Sequence, residues 1–475
     1  MTAPAQKFYR SAAWIALACL VVPMFASYYF DDMFSSISYL FEDPSLTALG
    51  WDSAGYGLYA SGYSVLCVFG GLVIGGILLD KWGVRVSGTL FVTMMAAGAG
   101  MVLWALLSGS SASLTLAYVG VMLFGLGSEI AGTAVTRSIA KWFRGGPMAL
   151  AMGLQLAIAR LGTAFALVLS PKLVQQIPGH VYSLAETARP AMVGMSLMAL
   201  GLILWALFVA LDARADRADR SSGSEASDGV AARGSVNGRG PDLSGRDSSE
   251  GAYRPEASEP EETETFRFKD VLGVLGNKNF WLLGLLCVLF YSSIIAFKKF
   301  AGAILIPRFD IPAETAGWMV SMLPFSTVIF APLFGMLVDK AGKGTRWMVI
   351  GAVLALIAHL LLAFAPAGVP FWGYLAMVFL GFGYSLVPAA LWPSVPKIVP
   401  DKVLGTTFAL IYWVQNLGLL SFKWVAGVIL GKSSHGPVSV ELMFVGLCIA
   451  AVAVAFLFRQ TSARHPELKL DQPNR

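Results

Sequence analysis

Gly76-Ile77-Leu78-Leu79-Asp80-Lys81-Trp82-Gly83-Val84-Arg85 and Gly335-Met336-Leu337-Val338-Asp339-Lys340-Ala341-Gly342-Lys343 share one pattern, and each closes a long apolar run. In both, a glycine is followed four positions on by aspartate, then lysine, then a second glycine and a basic residue. A charge cluster repeated at the end of an apolar run marks the chain as duplicated and as living in lipid. The composition agrees: 56% hydrophobic, 13% charged and a mean hydropathy of +0.67 lie far outside the range of a soluble chain of 475 residues. A spanning helix needs about 20 mostly apolar residues. Such runs lie near 12–30, 54–79, 87–108, 113–139, 147–171, 190–211, 280–306, 314–338, 346–366, 370–396, 403–430 and 437–458. The expected fold is an all-α membrane protein with twelve transmembrane helices in two six-helix pseudo-repeats.

The duplication can be tested on the sequence itself. Aligning Leu123-Phe124-Gly125-Leu126-Gly127 of the fourth run with Phe379-Leu380-Gly381-Phe382-Gly383 of the tenth gives an offset of 256 positions (381 − 125). The same offset pairs Lys141 with Lys397 and Leu161-Gly162 with Leu417-Gly418. The Asp80 and Asp339 segments are displaced by 259 (339 − 80), so a short insertion or deletion lies between them and the fourth and tenth runs. Tandem halves of this kind place a solute at their interface near the bilayer midplane and move it by rocking one half against the other.

Residues 1–211 form the N-terminal half and 280–459 the C-terminal half. Between them, 212–265 turns to Ser, Gly, Asp, Glu and Arg and reads as a disordered cytoplasmic linker, whose first part either extends the sixth helix into water or touches anionic head groups. Residues 266–279 regain amphipathic character as a surface lead-in, and 460–475 read as a cytoplasmic tail. Lys and Arg gather in alternate loops, at Lys81 and Arg85, Lys141 and Arg144, Lys340, Lys343 and Arg346, and Lys397 and Lys402, while the opposite loops are poor in them. This bias puts both termini in the cytoplasm. The first apolar run lacks a small-residue cleavage pattern and is expected to remain as the first helix. Without organelle-sorting or glycosylation signals, the expected location is the plasma (inner) membrane rather than a lysosome-like organelle.

Cys19, Cys67, Cys287 and Cys448 all lie inside apolar runs without metal-ligand or redox spacing, so packing is their expected role and neither a metal nor another cofactor is implied. The net charge of +5 follows from the basic loops, and no basic stripe with interleaved aromatics points to nucleic acid. Enzyme motifs are also missing: there is no His-Glu-x-x-His and no Gly-x-Ser-x-Gly, and Gly431-Lys432-Ser433 is a fragment of a phosphate loop whose first glycine would fall at Ala426. The chain is not expected to be an enzyme.

Ionised side chains deep in a membrane helix are costly and should face a wet cavity or a partner. Glu129 lies about 16 residues into the fourth run and Arg160 about 13 into the fifth, so both sit roughly 20 to 24 Å along their helices. Opposite charges then share one depth. A zwitterion offers an ammonium and a carboxylate, and a guanidinium presents a bidentate fork to the latter. The alternative is a mutual ion pair joining the two helices. Under the repeat offset Glu129 maps onto Ser385 and Arg160 onto Asn416, which implies a cavity whose charge is anchored by the N-terminal half.

Gln155, Gln415, Asn416 and Ser385 are neutral candidates for the same cavity, with helix contact as the alternative. Trp392 and Tyr384 are candidate covers for a variable side chain, with packing as the alternative. Asp31, beside Asp32, is a candidate proton site or outer gate. Lys298 and Lys299, being adjacent, point about 100° apart, so at most one should aim at the cavity. They and Lys423 either neutralise a substrate carboxylate or snorkel outward. His359 reads as a satisfied buried histidine, and Gly70-Gly71 and Gly75-Gly76 as sites of close helix contact. Asp80, Lys81, Arg85, Asp339 and Lys340 are placed to latch one conformation through charge-assisted hydrogen bonds to a neighbouring helix, the alternative being charges that only set topology.

The Asp80 and Asp339 segments resemble the signature loop of the major facilitator superfamily, between helices two and three with a second copy between eight and nine. A narrower resemblance, to the major facilitator superfamily domain-containing protein 1 family of lysosomal dipeptide transporters, is carried by Phe30-Asp31-Asp32, Phe124-Gly125-Leu126-Gly127-Ser128-Glu129, Trp142-Phe143, Gly153 to Gly162, Ala390-Leu391-Trp392-Pro393 and Gln415 to Leu419. What it implies is alternating-access transport of dipeptides, with Glu129 and Arg160 contacting the two charged ends. This chain differs in a longer central loop, a short N-terminus without a dileucine signal and the lack of an Asn-x-Ser/Thr sequon. The expected partners are a small zwitterionic solute and the bilayer; the sequence does not address an accessory subunit. Other readings are a proton-coupled organic-anion (monocarboxylate-type) carrier and a non-transporting receptor or scaffold.

Overall fold

The computed structural model describes residues 3–144, 147–177, 179–233, 273–399, 403–432 and 436–472, which are helical apart from short connections. The first half runs α1 (Ala3–Asp32), α2 (Ser53–Leu66), α3 (Leu72–Ser108), α4 (Ser113–Trp142), α5 (Met148–Leu173) and α6 (Arg189–Arg233). The second runs α7 (Lys278–Lys299), α8 (Ala301–Phe309), α9 (Ala313–Ala341), α10 (Gly344–Phe364), α11 (Pro370–Leu391), α12 (Leu404–Lys432) and α13 (Pro437–Arg464).

Eleven described segments are long and apolar enough to cross a membrane, and one of them, Ser53–Ser108, has 56 residues. At 1.5 Å per residue it would reach about 84 Å, nearly three hydrocarbon thicknesses. It breaks at Gly83, where φ is 73° and ψ is 173°. That backbone is open to glycine and strained for any other residue, so the glycine inside the quoted motif is what folds one long helical run into the second and third spans. Twelve spans result.

Glycine contacts show the repeat in three dimensions. A Cβ on Gly125 would lie 2.1 Å from the Tyr63 carbonyl oxygen in the second span, and one on its counterpart Gly381 would lie 2.6 Å from Ser326 in the eighth. Gly127 meets the Met95 backbone at 2.6 Å, and Gly383 meets the Gly351 carbonyl at 2.7 Å, joining spans four to three and ten to nine. Gly162 abuts Phe25 of the first span and Gly418 abuts Val288 of the seventh. Equivalent glycines therefore make equivalent helix crossings in the two halves, and each lets backbones approach where a side chain would hold them apart.

Helix α6 continues past 212 to Arg233, so the expected linker opens as helix. Asp212 and Asp216, one turn apart, hold Arg85 and Lys141 from its first turns, with Lys141 Nζ 2.8 Å from each carboxylate. Positions 234–272, the rest of the linker and half of the lead-in, lie outside the described residues. The expected tail folds back: Lys343 donates its N–H to the Asp471 carbonyl at 2.8 Å, Thr345 donates to the Asp471 carboxylate at 2.9 Å, and Leu470 is buried.

Candidate substrate site and outer gate

The halves meet through α2 against α12 and α5 against α9. At the ends away from the basic loops these pairs are tight: Cα of Gly427 would lie 3.0 Å from a Cβ on Gly57, and the Leu167 carbonyl 2.3 Å from one on Gly317. At the ends near the basic loops, Gly76, Gly153, Gly335 and Gly405 of the same four spans would meet nothing within 4 Å. The space between the halves is closed on the side away from the basic loops, termed outer because those loops are expected to be cytoplasmic, and open toward them.

The outer closure is built from charge and aromatic packing. Asp32 ends α1 and is buried; Lys298 Nζ donates to its Oδ2 at 2.6 Å, Lys299 Nζ to its Oδ1 at 3.0 Å, and Thr163 of α5 to Oδ2 at 2.8 Å. Lys299 also pairs with Asp31 Oδ2 at 2.8 Å. Both lysines thus point inward, against the expectation that at most one could. Both are the last residues of α7, each has a long stem, and a single carboxylate offers two oxygens, one to each ammonium. Above them Ser35–Glu42 forms a 3₁₀ cap over which Phe41 stacks on Tyr56 at 4.5 Å and on Trp51 at 5.6 Å. Tyr56 donates to the Lys299 carbonyl at 3.0 Å, and Ala303 N–H donates to Ser38 at 3.0 Å. The loop after the first span is therefore a buried plug; its two leading acids gave little hint of the aromatic residues that follow.

Below the plug, Arg160 and Glu129 are both half-buried and make no ion pair with each other. Arg160 Nη1 donates to the Tyr384 hydroxyl at 2.9 Å, and its guanidinium lies 5.3 Å from the Tyr384 ring centre and 5.6 Å from that of Tyr28. Glu129 accepts from the Tyr63 hydroxyl at 3.1 Å, and the same phenolic oxygen lies 3.2 Å from the Ser128 hydroxyl. Each charge is oriented by tyrosine and left with unused capacity, since a guanidinium has five N–H donors and a carboxylate about four acceptor sites. Tyr28, Tyr63 and Tyr291 were not singled out by the sequence, because an isolated tyrosine in an apolar run carries no signal until the helices cross.

An aromatic wall continues from Arg160 through Tyr384 and Tyr291 to Trp392, which donates to the Tyr291 hydroxyl at 3.2 Å and stacks on Tyr412 at 5.0 Å. Asn416 is buried with its amide donating to the Tyr412 carbonyl at 3.1 Å, and its Oδ1 has no partner among the described residues. Gln415 instead faces α7, accepting from Cys287 at 3.4 Å, and Ser385 turns back onto the Gly381 carbonyl at 2.9 Å. Gln155 is half-buried on the same helix as Arg160, toward the open end. Of the motif residues, Asp80 pairs with Arg137 of α4 at 2.5 Å, and Arg85 with Asp212 at 3.3 Å, all within one half; Lys81, Asp339 and Lys340 are exposed. His359 is not alone: its Nδ1 lies 2.8 Å from Glu441 Oε2, both fully buried between α10 and α13. The glycine pairs divide, with Gly71 and Gly75 pressed on Leu126 and Ile130 while Gly76 is open.

Two pseudo-symmetric six-helix halves, closed on one face over a charged central cavity, define a multi-pass integral membrane protein of the rocking-carrier type. The Major Facilitator Superfamily profile matches residues 20–307 and 300–474, and the chain belongs to that superfamily. It is 28% identical over 446 residues to the lysosomal dipeptide transporter MFSD1 of Danio rerio, covering 91% of this chain and 84% of that protein. The Homo sapiens protein of that name is 28% identical over 407 residues, covering 85% and 76%. Among solved structures, the POT family transporter PepTSo superposes with a TM-score of 0.65 at 13% identity, covering 94% of this chain and 98% of that one. The inward-open xylose transporter XylE from E. coli gives 0.65 at 13%, covering 95% and 96%. These likenesses show the fold.

Proposed function

We propose that this protein is a secondary or facilitative transporter that moves small zwitterions, dipeptides above all, by alternating access. The observation that supports this best is the separate orientation of Arg160 and Glu129: a mutual ion pair would leave no charge for cargo, whereas here each is held by tyrosine with capacity to spare. Arg160 takes the substrate carboxylate in a bidentate grip and Glu129 takes the ammonium. Trp392, Tyr412 and the free Oδ1 of Asn416 line the space between for the peptide body. The likeness to proteins named dipeptide transporters, over most of the chain, supports the same cargo.

In this reading the basic loops and both termini are cytoplasmic, so the cavity opens to the cytoplasm and the Asp31, Asp32, Lys298 and Lys299 cluster is the closed outer gate. Asp80, Lys81, Arg85, Asp339 and Lys340 latch the opposite face when the halves rock. The lysosomal name of the similar animal proteins weighs against the plasma membrane as the site of action.

The test is thermal stabilisation of the purified protein by a free dipeptide, its N-acetylated and C-amidated forms and a monocarboxylate, repeated for Arg160→Ala. Stabilisation by the free dipeptide alone, lost in the variant, is the expected result. Equal stabilisation by the acetylated peptide and the monocarboxylate would replace it with the organic-anion reading. Ligand binding without flux in reconstituted vesicles would make the protein a receptor.

A further inference from the structure

Lys423 is buried, with 2% of its surface exposed, yet its ammonium makes no hydrogen bond or ion pair among the described residues. Its one specific contact is the face of Tyr63, 5.4 Å from the ring centre. A solvated ammonium loses several kcal/mol of hydration on burial, which a cation–π contact of about 2 kcal/mol does not offset. The neighbouring lysines show the contrast: both are buried, and Lys298 pairs with Asp32 while Lys299 pairs with Asp31 and Asp32.

The position of Lys423 is also particular. It comes from the C-terminal half, on α12, where its own carbonyl would lie 3.0 Å from a Cβ on Gly57. Its side chain reaches across to α2 and the tyrosine whose hydroxyl donates to Glu129. Lys423, Glu129 and Asp31 lie within electrostatic reach of one another. Asp31 is engaged by Lys299, and Glu129 has no cation within 4 Å among the described residues. Among the described residues, four cations (Arg160, Lys298, Lys299, Lys423) face three carboxylates (Asp31, Asp32, Glu129) around the cavity roof. A net-neutral zwitterion on Arg160 and Glu129 leaves that surplus in place.

We infer that Lys423 is a specificity-determining residue that receives an acidic side chain on the first residue of a dipeptide cargo. The inference rests on the two-pole reading above: with the ammonium on Glu129, the first side chain leaves the backbone beside Tyr63, where Lys423 waits, while the second side chain lies toward Arg160 and the aromatic wall. An acidic side chain there cancels the surplus charge and gives the ammonium the acceptor it lacks. A basic side chain at the same position meets repulsion.

The experiment measures apparent affinities by thermal stabilisation for Ala-Ala, Glu-Ala, its neutral isostere Gln-Ala, and Ala-Glu. The unmodified protein should bind Glu-Ala about tenfold more tightly than Gln-Ala, as a charge-assisted hydrogen bond provides, with no such gain for Ala-Glu over Ala-Ala. In Lys423→Met the preference for Glu-Ala should vanish while Ala-Ala changes less than about threefold. Lys423→Arg should retain the preference. Equal affinity of the unmodified protein for Glu-Ala and Gln-Ala, which requires no variant, overturns the inference, as does a parallel loss of Glu-Ala and Ala-Ala in a folded Lys423→Met protein. If Ala-Ala itself fails to bind the unmodified protein, the dipeptide reading falls first and this inference falls with it; if Ala-Ala binds and Glu-Ala gains nothing, the dipeptide reading stands alone.

Discussion

Replacing Asp32 by Asn should loosen the outer gate. Asp32 is buried and accepts from Lys298, Lys299 and Thr163, the first two from the opposite half. Asn keeps the shape and one acceptor but removes the charge, leaving two buried ammonium groups to share Asp31. Removing one partner of a buried ion pair costs about 3–5 kcal/mol. That cost falls mainly on the closed-outside state, because opening lets water solvate the lysines. The equilibrium between closed and open outer faces should then move by roughly 10²- to 4 × 10³-fold. Spin labels at Ala48 and Ala367, exposed outer positions in opposite halves, report the change directly, and the four native cysteines are buried. Double electron–electron resonance should show a short distance in the parent and a new, longer population in Asp32→Asn. Adding Lys299→Met should restore much of the short distance by removing the uncompensated charge. A folded Asp32→Asn protein with the parent's distance distribution would refute the assignment of this cluster as the gate.

Tyr384→Phe removes the hydroxyl that accepts from Arg160 and should lower dipeptide uptake about tenfold or more while the protein stays folded, as uptake into vesicles would show. Glu129→Gln should weaken dipeptides with a free amino terminus more than their acetylated forms, and an equal loss for both in competition assays would count against its assigned pole. Gly427→Val places a side chain where the Ser53 carbonyl and the Gly57 backbone already lie within 2.4 to 2.9 Å of a Cβ; the outer faces should part, seen as a longer distance between the same two labels. Asp471→Ala removes the cap of α10 and should cost about 1 kcal/mol, read as a lower unfolding temperature with substrate affinity unchanged.

The repeat was legible because it is written in glycine. Gly125, Gly127 and Gly162 recur at one offset, and the helix crossings they permit require no side chain whose partner must be guessed. Glu129 and Arg160 could be singled out for a related reason, since a charge in an apolar run stands out before anything is known of its neighbours. Their partners could not. Tyr63, Tyr28 and Tyr384 meet them only through helix crossings, and tyrosine is as ordinary in lipid-facing packing as in a cavity wall. Glu441 went unremarked as an acid near the start of the last span, where it resembles an interfacial residue until α10 brings His359 to it. The lysine pair was misjudged by treating helix phase as fixing where a long side chain ends; from adjacent helical positions both ammonium groups find the same acid.

The arrangement ties recognition to motion through one hydrogen bond. Arg160 belongs to the N-terminal half and Tyr384 to the C-terminal half, so the group assigned to the substrate carboxylate also bridges the surfaces that must move. A carboxylate on Arg160 competes for the same guanidinium donors and changes how firmly the halves are joined at the cavity. The outer gate, by contrast, is satisfied entirely by protein groups and touches neither Glu129 nor Arg160. Closure on the outer face is therefore held by the protein's own charges, and on the proposed reading the cargo acts on the equilibrium at the cavity through Arg160 and Tyr384. A ligand shifts such an equilibrium only by its differential affinity for the two states, and the proposed site places that difference at this shared hydrogen bond.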